Sequence, residues 1–101
     1  MKMVKYRISS KAIEDLDKIW IYTFEKWSIK QADRYYNLII DEIEYISNNP
    51  LSGKVIDHIK FGYRVTRAKS HLIFYKESDR NIIEVIRILH KSMDIENRLN
   101  G

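Results

Sequence analysis

Ile82–Asp94 reads IIEVIRILHKSMD, and its first half is an apolar, β-branched run: Ile82, Ile83, Val85, Ile86 and Ile88. Such a run predicts a well-buried strand. Arg87 interrupts it, and His90, Lys91 and Asp94 follow where the strand runs out. A cation inside so apolar a strand must reach solvent or find a partner, because burying it alone is costly. The rest of the chain reads as scaffold around this strand and its basic exit.

Upstream, Gly62 opens a strand over Tyr63–Ala68, Lys69-Ser70 makes a tight turn, and His71–Lys76 forms the next strand. Ser78-Asp79-Arg80-Asn81 is rich in turn formers and leads back to Ile82. Three strands joined by such short connections predict an antiparallel meander. Leu51–Phe61 reads as an irregular loop turning at Gly53.

The N-terminal half carries a different period. Val4, Tyr6 and Ile8 alternate with Lys5 and Arg7, so Lys2–Ile8 predicts a half-exposed strand. Ser9 and Ser10 offer an N-cap. Ala12, Leu16, Ile19, Trp20, Thr23 and Trp27 then recur at helical spacing, which predicts a helix over about 11–26. Ser28-Ile29-Lys30-Gln31 is a capping box. The second helix draws one stripe through Ala32, Tyr36, Ile39, Ile43 and Ile46. It ends at Asn48-Asn49-Pro50, because proline disfavours helical geometry in the residue before it. Met93–Leu99 is short enough for a single helical turn. The expected fold is α+β: a β-α-α-β-β-β chain, 1–101 as one domain, with a helical hairpin on one face of a mainly antiparallel four-stranded sheet. The other face is expected to be partly open to a partner.

Composition limits function. Hydrophobic residues make up 45% and charged residues 32% of the chain, a balance suited to a folded globular domain. Cysteine is absent, which excludes disulfides and thiolate metal sites and suits a reducing cytoplasm. No stretch approaches the roughly 20 apolar residues of a membrane span, and no membrane partner is expected. The net charge of +4 favours an acidic partner. The sequence has no P-loop, GxGxxG, HExxH or GxSxG. His58, His71 and His90 lack metal-ligand spacing. Asp41, Glu42 and Glu44 fit a solvated helix face better than a paired-acid site. No cofactor, metal or catalytic residue is therefore assigned. The candidate binding residues are cationic: Arg64, Arg67, Arg87, His90 and Lys91, with Asp94. Arginine suits phosphate or carboxylate recognition through its planar fork. The competing reading is structural, with Arg64 and Arg87 satisfied by Glu84 and Asp94.

An ordered series of short patterns resembles the ParE-type toxins of the RelE/ParE superfamily. It comprises Ala12, Asp15, Leu16 and Ile19, then Tyr22-Thr23, Trp27, Gln31-Ala32 and Tyr36. Asn49-Pro50 with Gly53, Gly62-Tyr63-Arg64, His71–Tyr75 and Val85–Asp94 complete it. The resemblance implies a RelE/ParE-like fold and the toxin half of a bacterial type II toxin–antitoxin pair, of the plasmid-stabilisation kind. It implies neutralisation by a ParD-like antitoxin and action on DNA gyrase by protein–protein contact. The alternative it carries is a RelE-like, ribosome-dependent mRNA endoribonuclease, which leaves direct nucleic-acid contact open. That branch expects basic groups where this chain has Thr66 and Leu72. A third reading is an antitoxin-binding module that has lost toxicity.

Overall fold

The turn from the first strand into the first helix is made by one side chain. Ser9 Oγ accepts the Ala12 N–H at 3.1 Å and donates to the Ile86 carbonyl at 2.8 Å. It thereby caps a helix and ties that helix to the C-terminal strand. The computed structural model describes residues 6–78 and 82–100. The expected strand residues 2–5 and turn residues 79–81 lie outside them.

The element order is β1 (Tyr6–Ile8), α1 (Ser10–Lys26), α2 (Ile29–Asn48), β2 (Lys54–Val55), β3 (Tyr63–Ala68), β4 (His71–Glu77), β5 (Ile83–His90) and α3 (Ile95–Asn100). Ser28 caps α2 by accepting the Gln31 N–H at 3.1 Å. Asn49 closes it just before Pro50. The expected hairpin and meander are both present. The sheet has five strands rather than four, ordered β1-β5-β4-β3-β2, because the segment read as irregular loop contributes β2. A two-residue strand is too short to leave a periodic signal. β1 runs parallel to β5, and the other pairings are antiparallel.

A bulge in β5 decides which residues face the helices. Phe74 pairs with Arg87 but Tyr75 pairs with Val85, so Ile86 is an extra residue. Ile83 and Val85 lie on the helix-covered face before it, and Ile88 lies on that face after it. Without the extra residue, period two would put Arg87 there instead. The bulge sends Arg87 to the same side as Phe74.

Two apolar clusters sandwich the sheet. Under the helices, Ala12, Leu16, Ile39, Ile43 and Ile46 pack on Ala68, Ile73, Tyr75, Ile83, Val85 and Ile88. Each fully buried isoleucine contributes roughly 1.5–3 kcal/mol of transfer free energy. On the opposite face, Ile56, Tyr63, Phe74, Leu89 and Leu99 form the second cluster, with Ile59, Ile86 and Ile95 against it. The face expected to be open is thus partly covered by the 51–62 segment and α3. The helical stripes also need correction. Trp27 is 71% exposed and Tyr36 is exposed, so neither belongs to the buried stripe. Among the described residues, no helix is long and apolar enough to cross a membrane.

Gly53 and Gly62 are required for different reasons. A Cβ on Gly53 would lie 2.3 Å from Tyr75 Oη, whereas one on Gly62 meets nothing within 4 Å but Gly62 has φ 83°. Gly53→Ala should cost roughly 1–3 kcal/mol by overpacking, and Gly62→Ala about 1–2 kcal/mol by backbone strain. Urea denaturation measures both. Tyr75→Phe removes the nearest atom but keeps two ring carbons 2.8 Å from the added Cβ, so it should ease the Gly53 variant only in part and leave the Gly62 variant unchanged.

Candidate functional site

Arg87 is held inside the molecule. Its Nε donates to Asp15 Oδ2 at 2.8 Å and its Nη2 to Asp15 Oδ1 at 3.0 Å, a bidentate pair. Nη1 reaches the Arg98 carbonyl at 3.2 Å. The two side chains are 14% and 9% exposed. The bond to Asp15 raises the guanidinium's already high pKa against the opposing effect of burial. Asp15 also accepts the Ile88 N–H at 3.0 Å. The partner of Arg87 is therefore Asp15, not Glu84 or Asp94.

Among the described residues Arg64 makes no ion pair; it binds backbone. Its Nη1 donates to the carbonyls of Gly53 at 2.8 Å and Leu51 at 3.2 Å. Tyr75 Oη works on the same loop, donating to the Pro50 carbonyl and accepting the Gly53 N–H, both at 2.9 Å. Arg64 lies opposite Tyr75 on the helix side of the sheet, and Arg87 lies opposite Phe74 on the other. The sheet does not bring the two arginines into one surface. Arg67 is exposed, with its Nε on the Lys69 carbonyl at 2.6 Å, where it closes the β3–β4 turn. Lys69 takes φ 54° there, a conformation ordinarily given to glycine or asparagine.

The remaining candidates gather at the end of β5. His90 pairs across the strands with His71, their rings 5.2 Å apart and edge to face. His71 was not among the expected binding residues; the cross-strand register alone puts it here. Tyr35 Oη accepts the Ser70 N–H at 3.2 Å and shares a 2.7 Å hydrogen bond with His71 Nδ1. Burial above all, then the neighbouring His90, lowers the His71 pKa to about 4, with Asp15 opposing. His90 Nδ1 accepts the Ser92 N–H at 3.1 Å. Lys91 is exposed beyond it. Asp94 caps α3, with Oδ1 on the Asn97 N–H at 3.4 Å and Oδ2 on Asn97 Nδ2 at 2.6 Å.

Thr66 donates to Glu42 at 2.5 Å, which takes Glu42 out of the purely solvated helix face. Leu72 packs against the second cluster. Apolar side chains also reach the surface in two places. Tyr22 (62% exposed), Trp27 and Ile29 (57%) lie around the α1–α2 turn. Leu51 (69%), Val55 (45%) and Phe61 (86%) lie around β2.

The family model described as "ParE toxin of type II toxin-antitoxin system, parDE" matches residues 6–95. The chain is 35% identical over 95 residues to a protein of Mycobacterium tuberculosis named Toxin ParE1, covering 94% of this chain and 97% of that one. It is 38% identical over 92 residues to a Toxin ParE1 of Caulobacter vibrioides, covering 91% and 94%. A solved structure described as "Chromosomal ParDE TA system from P. aeruginosa" superposes with a TM-score of 0.74 at 17% identity, covering 87% of this chain and 96% of that one. At that identity the superposition speaks for the fold.

Two predictions follow from the geometry. Asp15→Ala should cost about 3–5 kcal/mol, because it strands a buried guanidinium. Adding Arg87→Met should recover part of the loss. A deficit of roughly 1–3 kcal/mol should remain because the Ile88 N–H still lacks an acceptor. Urea melts of the three proteins test this, and a double variant as stable as wild type would refute it. Neutral His71 contributes stability that is fully present above its ordinary pKa of 6.5 and is lost as pH falls toward 4. Stability should therefore drop over that window by up to about 1.4 kcal/mol per pH unit. His71→Gln should flatten the slope.

Proposed function

The chain belongs to the family of ParE toxins, the toxin components of type II toxin–antitoxin systems paired with ParD-like antitoxins, and we propose that its target is DNA gyrase, bound by protein–protein contact. Family membership supports this reading. The observation that favours gyrase over mRNA lies on the middle strands. Where the ribonuclease branch expects cations, Thr66 is spent on Glu42 and Leu72 on apolar packing. Phosphodiester cleavage needs groups that activate a hydroxyl and stabilise the developing charge within hydrogen-bond reach. Those two positions supply neither.

The candidate residues divide by role. Arg64, Arg87 and Asp94 hold the loop, the helix and the α3 cap, so they act on function through the fold. Arg67 and Lys91 stand in solvent at the β3–β4 turn and the end of β5, with half-exposed His90 beside them. Lys91 N–H donates to the Ser70 carbonyl at 2.9 Å, which fixes the two ends together. These three form the proposed target contact. Charges at the margin of an interface govern encounter rate and salt dependence more than tight packing does.

Purified protein should inhibit gyrase supercoiling at micromolar concentration and leave mRNA intact in a translating extract. Lys91→Glu should weaken inhibition about tenfold without changing the urea midpoint, a loss of about 1.4 kcal/mol of binding. Cleaved mRNA, with supercoiling unaffected, would replace this reading by the ribonuclease one.

A further inference from the structure

A cavity of about 200 Å³ lies where the first turn of α1 meets β5 and α3. Three cations line it, Lys11, Arg87 and Arg98, together with Ser9 and Ser10. Among the described residues no carboxylate lines it.

The three cations are spent to different degrees. Arg87 gives Nε and Nη2 to Asp15 and Nη1 to the Arg98 carbonyl. Those bonds use three of the five N–H groups that a guanidinium carries. One N–H on each terminal nitrogen is left over. Asp15 neutralises this cation, and Glu14, exposed on α1, attracts it more weakly. Lys11 and Arg98 carry no such compensation. Both are exposed, and among the described residues neither side chain has a hydrogen-bond or ion-pair partner. The Arg98 backbone is pinned by Arg87, so its free side chain starts from a fixed base. The cap of α1 adds neutral donors. Ser9 accepts the N–H groups of Ala12 and Ile13, at 3.1 and 2.9 Å, and leaves those of Ser10 and Lys11 over.

Size and geometry narrow the ligand. A water's share of the liquid is roughly 30 Å³, so the cavity has room for about six waters, or for one phosphoryl group and a few. It is smaller than the roughly 300 Å³ at which pockets for drug-sized ligands begin. Donors that arrive from three elements suit a tetrahedral oxyanion, whose oxygens point several ways, better than a flat carboxylate. Guanidinium groups match phosphate oxygens in pairs.

We propose that this cavity is a phosphate site, taking a phosphate dianion either free or as the terminal phosphoryl group of a small molecule. Lys11 and Arg98 supply the charge, and the leftover N–H groups of Arg87 and of the first turn of α1 supply fixed donors. The site shares no residue with the target contact at Arg67, His90 and Lys91, and it does not depend on what that target is.

The test is an NMR titration of the full chain with inorganic phosphate, against potassium chloride at equal ionic strength. Phosphate should give saturable shifts in the Ser10 and Lys11 amides and the Arg87 Nε–H, and chloride should not. Lys11→Gln with Arg98→Gln removes both unspent charges and no bond within the fold. The double variant should keep the wild-type urea midpoint in chloride and bind phosphate at least tenfold more weakly. Phosphate should raise the urea midpoint of the wild type and leave that of the double variant where it was. A parallel titration with adenosine monophosphate separates the two sources. Tighter binding than phosphate assigns the site to a phosphorylated small molecule, and weaker binding assigns it to the free ion. Shifts that never saturate, or saturable binding that survives in the double variant, would overturn the proposal.

Discussion

One buried carboxylate holds the two halves of this fold together. β1 leaves β5 after Ile8, and from there β5 has no strand neighbour on that side. An unpaired edge at that depth would leave backbone groups unsatisfied, at a cost of about 1–3 kcal/mol each. α1 fills the gap with side chains. The Ser9 N–H binds the Val85 carbonyl at 2.9 Å, Ser9 Oγ binds the Ile86 carbonyl, and Asp15 takes the Ile88 N–H. Asp15 is then a buried anion, and Arg87 is the cation that makes it tolerable. Through Nη1 the same guanidinium reaches α3, so helix, sheet and C-terminal helix meet at one ion pair.

That arrangement explains the β-bulge. β5 must place isoleucine and valine under the helices along its whole length, yet also send a guanidinium to its own edge. A regular strand cannot do both, because period two would bury Arg87 among the isoleucines. The extra residue at Ile86 changes the parity between Val85 and Ile88 and releases Arg87 to Asp15. An ion pair this buried is weak evidence for stability by itself, since desolvation offsets most of the attraction. Its effect is to fix the position of α1 along β5.

A toxin of this family must meet its antitoxin with a small surface, and the chain divides its polar groups between its own fold and that surface. Arg64, Arg87, Thr66 and Asp94 are spent internally, on loop, helix and cap. What stays outside is a basic strand end around Lys91 and Arg67, an aromatic hairpin tip, and the Phe61 edge. Among the described residues, the last two hold half of the large hydrophobic side chains that the core leaves in water, and such side chains are where protein partners gain binding energy.

Apart from β2, the sequence alone determined the element types and their order. The stripe through Ile39, Ile43 and Ile46, the caps at Ser9 and Ser28, and the β-branched run at Ile83–Ile88 are local patterns, and local patterns are written in neighbouring residues. The family resemblance was legible for the same reason, as an ordered series of short pieces. Only the tertiary structure decided that Asp15 pairs with Arg87, that Arg64 binds carbonyls, that His71 stands beside His90, and that Lys54–Val55 is a strand. Asp15 and Arg87 are 72 residues apart, and no periodicity connects them. Whether a cation is spent internally or left for a partner depends on which backbone and side-chain atoms the fold brings within about 3 Å, and that is settled by packing and register, not by spacing along the chain.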